Sequence, residues 1–545
     1  MRHLSFGLSR KRRGGPVKKL KLTIDGRDIS VAEGKTVLEA AAALDITIPT
    51  LCHRDGIEPF TSCMVCVVLD KTSEKLIPAC TAPAAEGMRI ETDTPAVRKM
   101  RRDSLDFLVS EHVGECEAPC TRACPAGMDI PQMIREIRGE RFDSALQTIK
   151  RHIPLPAVLG RICSAPCEKA CRRREYDQPV SICLLKRFSA DRDLQKNTPY
   201  RPAGKPAGDK TVAVVGAGPA GLAAAYYLSL LGYRCSVYDK NKRPGGNLRT
   251  AISRDILPES VLDADIQGII GHGVTFEKER ELGRNLDLEE LRKRADAVLL
   301  TPGTVHPALF DGTGLEISPR GIKIDRTEYS TSLAGVFAAG GVTAESKMAV
   351  RSVGQGREVA QSIHRFLTGD RKKKKEETFN SLFGRLLAEE VEEYLKEAEA
   401  DPRIEPAGGQ GQGFTPDEAV KEARRCFGCD CRKPKDCRLR RFAGEYGSDQ
   451  KRFKAGERRP IEKIMQHADV VYEPGKCIKC GLCVRITKQS AEPLGLTFVG
   501  RGFDIRVEAP FGETLDKALQ KTAAECVEAC PTAALSFKNR KEKRH

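Results

Sequence analysis

Cysteine spacing constrains this 545-residue chain more than any other feature of its sequence. The chain has 21 cysteines, and most of them fall into four groups with short internal gaps. The groups are Cys52, Cys63, Cys66 and Cys80; Cys116, Cys120, Cys124, Cys163, Cys167 and Cys171; Cys426, Cys429, Cys431 and Cys437; and Cys477, Cys480, Cys483 and Cys530. Thiolates grouped in this way bind zinc or iron–sulfur clusters. We therefore expect a fold organised around several metal centres.

Length and composition exclude several classes of protein. At about 150 residues per domain, the chain is long enough for three or four domains. It has no tryptophan and only 5% aromatic residues, which argues against the stacking platforms of nucleic-acid-binding proteins. No apolar run approaches the roughly 20 residues that a membrane-spanning helix needs. A large chain with many cysteines and no hydrophobic signal segment is typical of a cytoplasmic metal-binding protein.

The net charge of +16 is accompanied by basic runs at 371–375 and 538–544. The simplest interpretation of these runs is a solvated surface. No groove-reading motif accompanies the charge, so nucleic-acid binding is not expected. The alternative interpretation is docking of an acidic redox partner, and charge alone does not decide between the two.

Composition and periodicity predict a multidomain protein of mixed α/β and α+β class. The predicted segments are a basic tail 1–17, a β-rich domain 18–98, a helical domain 99–200, an α/β nucleotide domain 201–370, a helical linker 371–470 and a last cysteine domain 471–545. Residues 20–24 and 29–31 alternate like strands paired around an Asp25-Gly26 turn. Helices are expected over 36–44 and 382–398.

A glycine-rich loop, Gly216-Ala-Gly-Pro-Ala-Gly221, follows the predicted strand 211–215 and opens a helix that reaches Leu231. The first glycine permits a tight turn, the second close approach of a pyrophosphate, and the third close packing of helix on strand. Asp239 ends the next strand, eighteen residues beyond Gly221, where an acidic side chain can bind a ribose hydroxyl. This order of strand, loop, helix and acid predicts a dinucleotide site.

The first cysteine group has the spacing Cys-x10-Cys-x2-Cys-x13-Cys, with three thiolates on one loop. This is a variant of the [2Fe–2S] spacing of plant-type ferredoxins, which have a β-grasp fold. Structural zinc is the alternative. The long first gap resembles the N-terminal domain shared by the large iron–sulfur subunit of respiratory complex I and by iron-only hydrogenases.

The second group is the most diagnostic. It contains Cys116-Glu-Ala-Pro-Cys-Thr-Arg-Ala-Cys-Pro125, then Gly160 to Cys171, then Gln178-Pro-Val-Ser-Ile182. Over about 112–365 the chain resembles the small subunit of glutamate synthase and the N-terminal half of dihydropyrimidine dehydrogenase. The resemblance implies a helical domain with two [4Fe–4S] clusters. It assigns Cys116, Cys120 and Cys171 to one cluster and Cys124, Cys163 and Cys167 to the other.

The sequence departs from that family at both fourth ligands. A cysteine expected just upstream of Cys116 is missing, and His112 stands nearby as a candidate ligand. Imidazole in place of thiolate raises the potential of a cluster, as in Rieske centres. The family's carboxylate or amide ligand falls at Lys186, so Cys183, one turn earlier, is the candidate substitute. The alternatives are a surface histidine and a buried, apolar cysteine.

The same resemblance identifies the nucleotide as FAD. It rests on Gly245-Gly-Asn-Leu-Arg249, Thr301-Pro-Gly-Thr304 and Gly335-Val-Phe-Ala-Ala-Gly-Gly341. The implied contacts are Gly216, Gly218, Pro219, Ala220, Gly221, Asp239, Lys240, Gly245, Gly246, Gly303, Gly340 and Gly341. Family members usually carry aspartate where Gly341 stands, to bind the ribityl chain. Cys235 lies in a predicted strand and is interpreted as a core residue.

Relatives of this type insert a second Rossmann domain, for NAD(P)H, between the landmarks at Thr304 and Gly335. Only 30 residues separate these positions here, and no second GxGxx(G/A) motif follows a strand. Half of a nucleotide-binding domain alone needs more than about 30 residues. We therefore expect no nicotinamide site of the chain's own.

The third group, Cys426 to Cys437, predicts an iron–sulfur cluster, with zinc as the alternative. In the fourth group, Cys477, Cys480 and Cys483 lie close together and Cys530-Pro531 supplies a remote fourth thiolate, as in bacterial ferredoxins. Residues 474–535 resemble ferredoxin modules of complex I and hydrogenases. Thr487 occupies the place of one cysteine of the two-cluster version, which implies one [4Fe–4S] cluster and a spare Cys526.

Together these features predict an electron-transfer subunit of a larger cytoplasmic oxidoreductase complex. FAD would exchange electrons with one [2Fe–2S] and three to four [4Fe–4S] clusters. The expected partners are a dehydrogenase, a hydrogenase or an NADH-oxidising flavoprotein, with ferredoxin as a further candidate. No arrangement of side chains suggests hydrolytic or transferase catalysis, and electron bifurcation is an extension by analogy alone. The alternatives are a self-contained NAD(P)H-dependent reductase and a zinc-binding scaffold.

Overall fold

The structure, a computed structural model, describes residues 18–304, 306–345, 348–370, 378–454, 456 and 458–538. The predicted basic tail 1–17, the basic run 371–375 and residues 539–544 of the last basic run lie outside the described residues. The chain divides into two compact units. Of the described residues, the first unit comprises those within 18–116, 378–385 and 431–538, and the second comprises those within 117–370 and 386–430. Both units therefore combine separate stretches of the chain.

A five-stranded mixed sheet opens the first unit. Its strands are β1 (Lys19–Ile24), β2 (Arg27–Ala32), β3 (Val67–Asp70), β4 (Lys75–Pro78) and β5 (Arg89–Glu91), in the order β2-β1-β5-β3-β4. Strands β1 and β5 run parallel, whereas the other neighbours are antiparallel. Asp25 and Gly26 both have positive φ in the β1–β2 turn, so the predicted Asp-Gly hairpin is confirmed.

Two helices cover this sheet region. Helix α1 (Val37–Ala42) begins after Thr36, whose side chain forms a reciprocal capping box with Glu39. Helix α2 (Pro95–Ser110) begins with Thr94 as its N-cap and proline in its first turn. The apolar side chains of β1 alternate with exposed lysines and point into a core with α1 and β3. This packing leaves the long α1–β3 connection to carry the first cysteines.

The second unit begins with short helices that bring cysteines to their ends. They are α3 (Pro119–Ala123), α4 (Ile130–Arg138), α5 (Phe142–Lys150), α6 (Pro156–Ile162), α7 (Pro166–Lys169) and α8 (Ile182–Leu194). Asp129 caps α4 and Pro131 lies in its first turn, as predicted. Cys124 and Cys163 directly follow α3 and α6, and Cys167 lies within α7.

A parallel five-stranded sheet follows in the same unit. The elements are β6 (Thr211–Val215), α9 (Pro219–Leu230), β7 (Arg234–Tyr238), α10 (Asn247–Thr250), α11 (Glu259–Ile270), β8 (Thr275–Glu277), α12 (Leu288–Arg294), β9 (Ala297–Leu300), β10 (Ile317–Ser318), β11 (Gly321–Ile322), β12 (Val336–Ala338) and α13 (Ala349–Thr368). The sheet order is β12-β9-β6-β7-β8, and β10 pairs with β11 in a small separate ribbon. Strand, glycine loop and helix therefore lie at the centre of the sheet.

Residues 386–430 complete the second unit with α14 (Ala388–Leu395) and α15 (Pro416–Arg424). The helix predicted over 382–398 is wrong in its first part. Gly384 has φ +88°, a left-handed conformation that interrupts a helix, and the helix begins only at Ala388. The preceding residues, 378–385, belong to the first unit.

The remaining elements belong to the first unit. They are α16 (Arg438–Glu445), β13 (Val470–Tyr472), α17 (Leu482–Gln489), β14 (Thr497–Val499), β15 (Arg506–Glu508), α18 (Leu515–Ala518), α19 (Ala523–Ala529) and β16 (Leu535–Phe537). Strand β13 pairs antiparallel with β16, and β14 pairs antiparallel with β15. Within the described ranges no helix has both the length and the apolar composition needed to cross a lipid bilayer.

A buried ion pair anchors the end of α15. The Arg425 guanidinium is fully buried and donates to Glu422 at 2.8 Å and to Asp177 at 3.0 Å. Replacing Arg425 with methionine leaves the buried Glu422 carboxylate without this partner, which should lower the unfolding free energy by about 3–5 kcal/mol. Urea unfolding followed by far-UV circular dichroism measures this loss.

The neighbouring Arg424 provides the matched control. Its bond to Glu399, at 3.4 Å, joins two side chains that are both more than 40% exposed. Arg424→Met should therefore cost less than about 1 kcal/mol. Equal losses in the two variants would show that burial of Arg425 adds nothing to its contribution.

Candidate functional site

The Cys52 site consists of the four thiols of the first cysteine group. Cys52, Cys63 and Cys66 come from the α1–β3 connection, Cys80 follows β4, and all four are buried. The Cys63 and Cys80 thiols hydrogen-bond to Cys52 and hold its pKa far below the usual value. The Cys52 thiol in turn raises the pKa of Cys63 and Cys80. The four sulfurs thus converge, and their number and burial fit a [2Fe–2S] cluster.

The Cys477 site lies at the C-terminal end of the first unit. Cys477, Cys480, Cys483 and Cys530 line one cavity together with Tyr472. Burial is the main cause of the raised pKa of Cys477, Cys480 and Cys483. This set fits one [4Fe–4S] cluster.

Two neighbours of the Cys477 site differ from the pattern of a two-cluster ferredoxin. Thr487 is buried, and its hydroxyl donates to Val484 and accepts from the Leu496 amide. The hydroxyl therefore stabilises the end of α17. Cys526 is fully buried, with its sulfur 3.9 Å from the Cys483 carbonyl oxygen, and it does not line the cavity.

Arg485 joins the Cys52 and Cys477 sites within the first unit. Its guanidinium donates to the carbonyl oxygens of Cys52 at 3.1 Å and of Cys480 at 3.0 Å. Leu51, Cys52, Cys480 and Leu482 also share one buried apolar cluster. Sequence reasoning assigned no role to Arg485, because its partner Cys52 is 433 residues away in the chain. The two cysteine sites therefore lie next to each other.

Replacing Arg485 with alanine should weaken this junction. Hydrogen bonds from a charged group contribute about 1.5–3 kcal/mol each, and we expect a total loss in that range because water replaces part of the contact. Urea unfolding followed by the visible absorbance of the holoprotein measures the loss. Arg501→Ala, at an exposed arginine of the same region, is the control and should change stability by less than about 0.5 kcal/mol. A loss no larger than in the control would contradict the role of Arg485.

A third group of cysteines in the first unit, the Cys116 site, consists of Cys116, Cys431 and Cys437. The Cys431 amide donates to the Cys116 carbonyl at 3.3 Å. Burial first, and the neighbouring Cys431 thiol second, raise the pKa of Cys437 to about 12. The Ser381 and Arg440 amides donate to the Cys116 and Cys437 sulfurs, each at 3.4 Å. Three thiols therefore lie together, and two of them accept hydrogen bonds from backbone amides.

His112 lies in the same region and is partly buried. Its Nδ1 is buried and has no hydrogen-bond partner. Burial first, and the charge of Lys476 second, lower the pKa of His112 to about 4. A neutral imidazole with an unpaired nitrogen has the chemistry of a metal ligand.

In the second unit, the Cys120 site consists of Cys120, Cys171, Cys426 and Cys429. Burial raises the pKa of Cys120 well above the usual value, and the nearby thiols of the other three raise it further. Arg135 also lies beside Cys426, and its guanidinium donates to Asp430 at 2.9 Å. The four thiols fit a [4Fe–4S] cluster with a neutralised ion pair at its edge.

The Cys124 site consists of Cys124, Cys163, Cys167 and Cys183. The Cys183 thiol hydrogen-bonds to Cys163 and raises the pKa of Cys163, with burial as the second cause. The same Cys183 thiol contacts Cys167. Lys186 lies beside all four thiols. Cys183 is thus placed where the fourth ligand of this cluster would be.

These three sites group the cysteines differently from the sequence. Cys116 was expected to share a cluster with Cys120 and Cys171. In the structure its neighbouring cysteines are Cys431 and Cys437 instead. Within their own units, Cys426 and Cys429 group with Cys120 and Cys171, whereas Cys431 and Cys437 group with Cys116. No group of three or more His, Cys, Asp or Glu side chains in the described ranges is arranged to hold a single metal ion. An iron–sulfur cluster differs from a single metal ion because its thiolates are distributed over several iron atoms, so they need not converge on one point.

The glycine loop forms the candidate dinucleotide site at the carboxyl end of β6. A Cβ atom at Gly221 would lie 2.0 Å from the Gly216 carbonyl oxygen, so only glycine fits between loop and helix. A Cβ at Gly218 would meet nothing within 4 Å, which leaves its backbone open to a ligand. Pro219 and Ala220 form the first turn of α9, whose amides face the loop. This cradle fits the pyrophosphate of FAD.

Asp239 anchors this loop. One carboxylate oxygen accepts from the Ala217 amide at 2.7 Å, and the other accepts from the Asn241 amide at 2.8 Å. The Asn241 side-chain amide also donates to this second oxygen at 2.8 Å. The oxygen bonded to Ala217 keeps a second lone pair, so the predicted bond to a ribose hydroxyl is compatible with these contacts. The next residue, Lys240, is exposed.

Glycines on neighbouring loops approach the cradle. The Gly245 amide donates to the Ala217 carbonyl, and a Cβ at Gly246 would lie 3.0 Å from the Gly218 Cα. The Gly340 amide donates to Gln355 at 3.1 Å. A Cβ at Gly341 would lie 3.1 Å from the backbone of both Gly303 and Thr304. A side chain at position 341 would therefore press against the backbone of this loop.

The Cys124 site packs directly against the nucleotide fold. A Cβ atom at Gly354 in α13 would lie 2.3 Å from the Pro125 carbonyl oxygen. Two residues further, a Cβ at Gly356 would lie 2.4 Å from the Ala220 carbonyl oxygen at the start of α9. Helix α13 therefore contacts both the loop that follows Cys124 and the helix that opens the dinucleotide cradle.

Comparisons with known proteins agree with this arrangement. Residues 17–95 match the family of 2Fe-2S iron-sulfur cluster binding domains. Residues 110–198 match the 4Fe-4S cluster domain II of dihydropyrimidine dehydrogenase. Residues 183–356 match the pyridine nucleotide-disulphide oxidoreductases.

Several curated proteins are similar to part of the chain. The NADPH-Fe(3+) oxidoreductase subunit beta of Geobacter sulfurreducens is 40% identical over 220 residues, 38% of this chain and 32% of that protein. The NADP(+)-dependent formate dehydrogenase subunit beta of Moorella thermoacetica is 36% identical over 207 residues, 34% of this chain and 29% of that protein. The PreT subunit of the NAD-dependent dihydropyrimidine dehydrogenase of Escherichia coli is 41% identical over 204 residues, 37% of this chain and 48% of that protein.

The chain thus spans between 29% and 48% of the length of these relatives. Three domains are recognised along it, in the order that the cysteine groups and the glycine loop indicate. They are a 2Fe-2S iron–sulfur cluster binding domain, a 4Fe-4S domain like domain II of dihydropyrimidine dehydrogenase, and an FAD-binding segment of the pyridine nucleotide-disulphide oxidoreductase type.

Proposed function

We propose that this chain is an electron-transfer subunit of a larger oxidoreductase complex. The single observation that carries the proposal is the packing of the Cys124 site and the dinucleotide cradle on the same helix, α13. An electron carrier needs its redox groups close together, and no hydrolytic or transferase chemistry would explain a cysteine site at this position. When bound, FAD would exchange pairs of electrons and the clusters single electrons.

The proposed ligands follow the geometry of the five sites. The Cys52 site would bind the [2Fe–2S] cluster, and the Cys477, Cys120 and Cys124 sites would each bind a [4Fe–4S] cluster. The Cys116 site supplies three thiols, and His112, whose Nδ1 is buried, is the proposed fourth ligand there. The dinucleotide cradle around Gly216, Gly218 and Gly221 would bind FAD, with Asp239 at the ribose.

The protein's own contribution is to hold these groups and to separate them from water. Within the first unit, Arg485 fixes the loops of the Cys52 and Cys477 sites against each other. Within the second, α13 fixes the Cys124 loop against the nucleotide fold. In finer detail, we assign the sheet β1–β5 with α1 to the β-grasp type and residues 471–538 to a ferredoxin-like domain.

Partners are proposed from the names of the relatives. Two of them are beta subunits, of an NADPH-Fe(3+) oxidoreductase and of a formate dehydrogenase. A dehydrogenase subunit, a hydrogenase subunit or an NADH-oxidising flavoprotein would therefore exchange electrons with this chain, in the cytoplasm, and ferredoxin is a further candidate. The 30 residues between Thr304 and Gly335 include the small β10–β11 ribbon. That this chain lacks a nicotinamide site stays a prediction.

Metal analysis and an anaerobic reduction of the purified chain test the proposal. We expect iron and acid-labile sulfide, one [2Fe–2S] and at least three [4Fe–4S] EPR signals after dithionite, and bound FAD. Zinc without iron would refute the proposal in favour of a scaffold.

The same sample discriminates the second candidate, a self-contained NAD(P)H-dependent reductase. The match of residues 183–356 to pyridine nucleotide-disulphide oxidoreductases favours that candidate. Dithionite should bleach the flavin absorbance near 450 nm, whereas NADH and NADPH should leave it unchanged. Rapid bleaching by either nucleotide would establish the reductase instead.

A further inference from the structure

Lys186 is a buried cation at an unusual position. It lies in α8, three residues after Cys183, and is only 4% exposed. Its Nζ donates to the Cys183 sulfur at 3.9 Å, and the Cys124, Cys163 and Cys167 thiols lie close enough to interact with its charge. An ammonium group cannot ligate iron, so its presence here needs another explanation.

No carboxylate in the described part of the chain forms an ion pair with Lys186. The nearby Glu168 accepts from the Cys183 amide at 2.9 Å, and its other oxygen is paired with Arg403 at 3.2 Å. The carboxylate of Asp191 is shared by Arg187, the next residue of α8, at 3.0 Å and by Arg161 at 2.7 Å. A buried charge is stable in a protein only where an opposite charge or several hydrogen bonds compensate it. The four cysteines of the Cys124 site would supply that compensation as thiolates bound to a cluster.

We propose that Lys186 is a charge-compensating residue that raises the reduction potential of the cluster bound at the Cys124 site. This inference rests on the proposed function, because it requires a cluster at these four cysteines. Reduction adds one negative charge to a cluster, and a fixed positive charge beside its ligands favours that added charge. Cluster potentials respond to net charge and to hydrogen bonds to the sulfurs, and Lys186 supplies both.

The arrangement differs at the Cys120 site of the same unit. There the nearby cation, Arg135, donates to Asp430 at 2.9 Å, so the pair is close to neutral. The Cys124 site should therefore be the more oxidising of the two. Because the Cys124 loop packs on α13 beside the nucleotide cradle, Lys186 would make this site the preferred electron acceptor next to the flavin.

An EPR-monitored redox titration of the purified holoprotein tests the role of Lys186. Lys186→Met should lower the equilibrium constant for one-electron reduction of this cluster at least tenfold, which is about 59 mV. Lys186→Arg keeps the charge and should restore most of the potential. Lys169→Met removes an exposed charge from α7 in the same region, and its effect should be several-fold smaller. Cys183→Ser identifies the signal that belongs to the site.

The outcomes separate this inference from the proposed function. An intact cluster in Lys186→Met with the potential of the unmutated protein would overturn the inference, while the iron–sulfur signals still supported the function. Absence of any iron–sulfur signal in the unmutated protein would overturn both. If the Lys186→Met variant loses the cluster, the Lys186→Gln variant is titrated in its place. If both variants lose the cluster, the order of reduction in the unmutated protein decides. The signal that Cys183→Ser removes must then appear at higher potential than the signal that Cys426→Ser removes, and the reverse order overturns the inference.

Discussion

The substitutions Cys426→Ser and Cys171→Ser should remove the same EPR signal. The signal that Cys437→Ser removes should stay intact in both of these variants. The reason is that Cys426 shares the Cys120 site with Cys171, whereas Cys437 lies in the Cys116 site. Each substitution removes one thiolate from a set of three or four, so we expect loss of most of the corresponding signal rather than a small change. EPR spectra of the three reduced variants, compared at equal protein concentration, measure this.

The control for this experiment is Cys235→Ser. Cys235 lies in the buried strand β7, and its sulfur is 3.7 Å from the Tyr233 carbonyl oxygen and not part of any of the five sites. All iron–sulfur signals should persist in that variant. If Cys426→Ser and Cys437→Ser instead remove one common signal, the linear motif from Cys426 to Cys437 binds a single cluster and the grouping given by the structure is refuted.

Alanine at Gly221 should yield a chain that is purified without flavin. The added methyl group would lie 2.0 Å from the Gly216 carbonyl oxygen and 2.6 Å from the Thr301 hydroxyl, both within the strand–loop–helix junction. Backbone atoms cannot move away as a flexible side chain can, so the loop must change shape and lose its fit to a pyrophosphate. We expect at least a tenfold loss of bound FAD, measured by the absorbance near 450 nm per protein.

Gly268→Ala is the matched control, because it adds the same methyl group to a helix of the same sheet domain. A Cβ there would meet nothing within 4 Å, so flavin content should be unchanged. The [2Fe–2S] signal of the Cys52 site, in the other unit, should persist in both variants and would show that the chain still folds. Normal flavin content in Gly221→Ala would place the dinucleotide elsewhere.

Local features of the fold could be predicted from the sequence. The Asp25-Gly26 turn could be predicted because both residue types tolerate the positive φ that a two-residue hairpin turn requires. The structure has positive φ at both positions. The strand 211–215 and the helix that follows the glycine loop are confirmed within two residues, since alternating and continuous apolar patterns differ clearly there. In each case the deciding contacts lie within a few residues.

Partnership between distant cysteines could not be predicted in this way. Spacing shows that Cys426 and Cys437 belong to one motif, but not that the chain passes from one unit to the other between Cys429 and Cys431. The predicted helix over 382–398 failed for a related reason, because Gly384 turns the backbone at the same kind of boundary. Arg485 has no recognisable motif, since its role depends on a loop more than 400 residues away.

The discontinuous first unit has a consequence for how the protein is made. Cys116 emerges from the ribosome early, but Cys431 and Cys437 follow more than 300 residues later. Domains built from one continuous stretch can fold during synthesis, whereas contacts of such long sequence separation form slowly and late. The thiol of Cys116 must therefore wait, protected from oxidation, until Cys431 and Cys437 have been synthesised. Loading of this site with iron would follow that step.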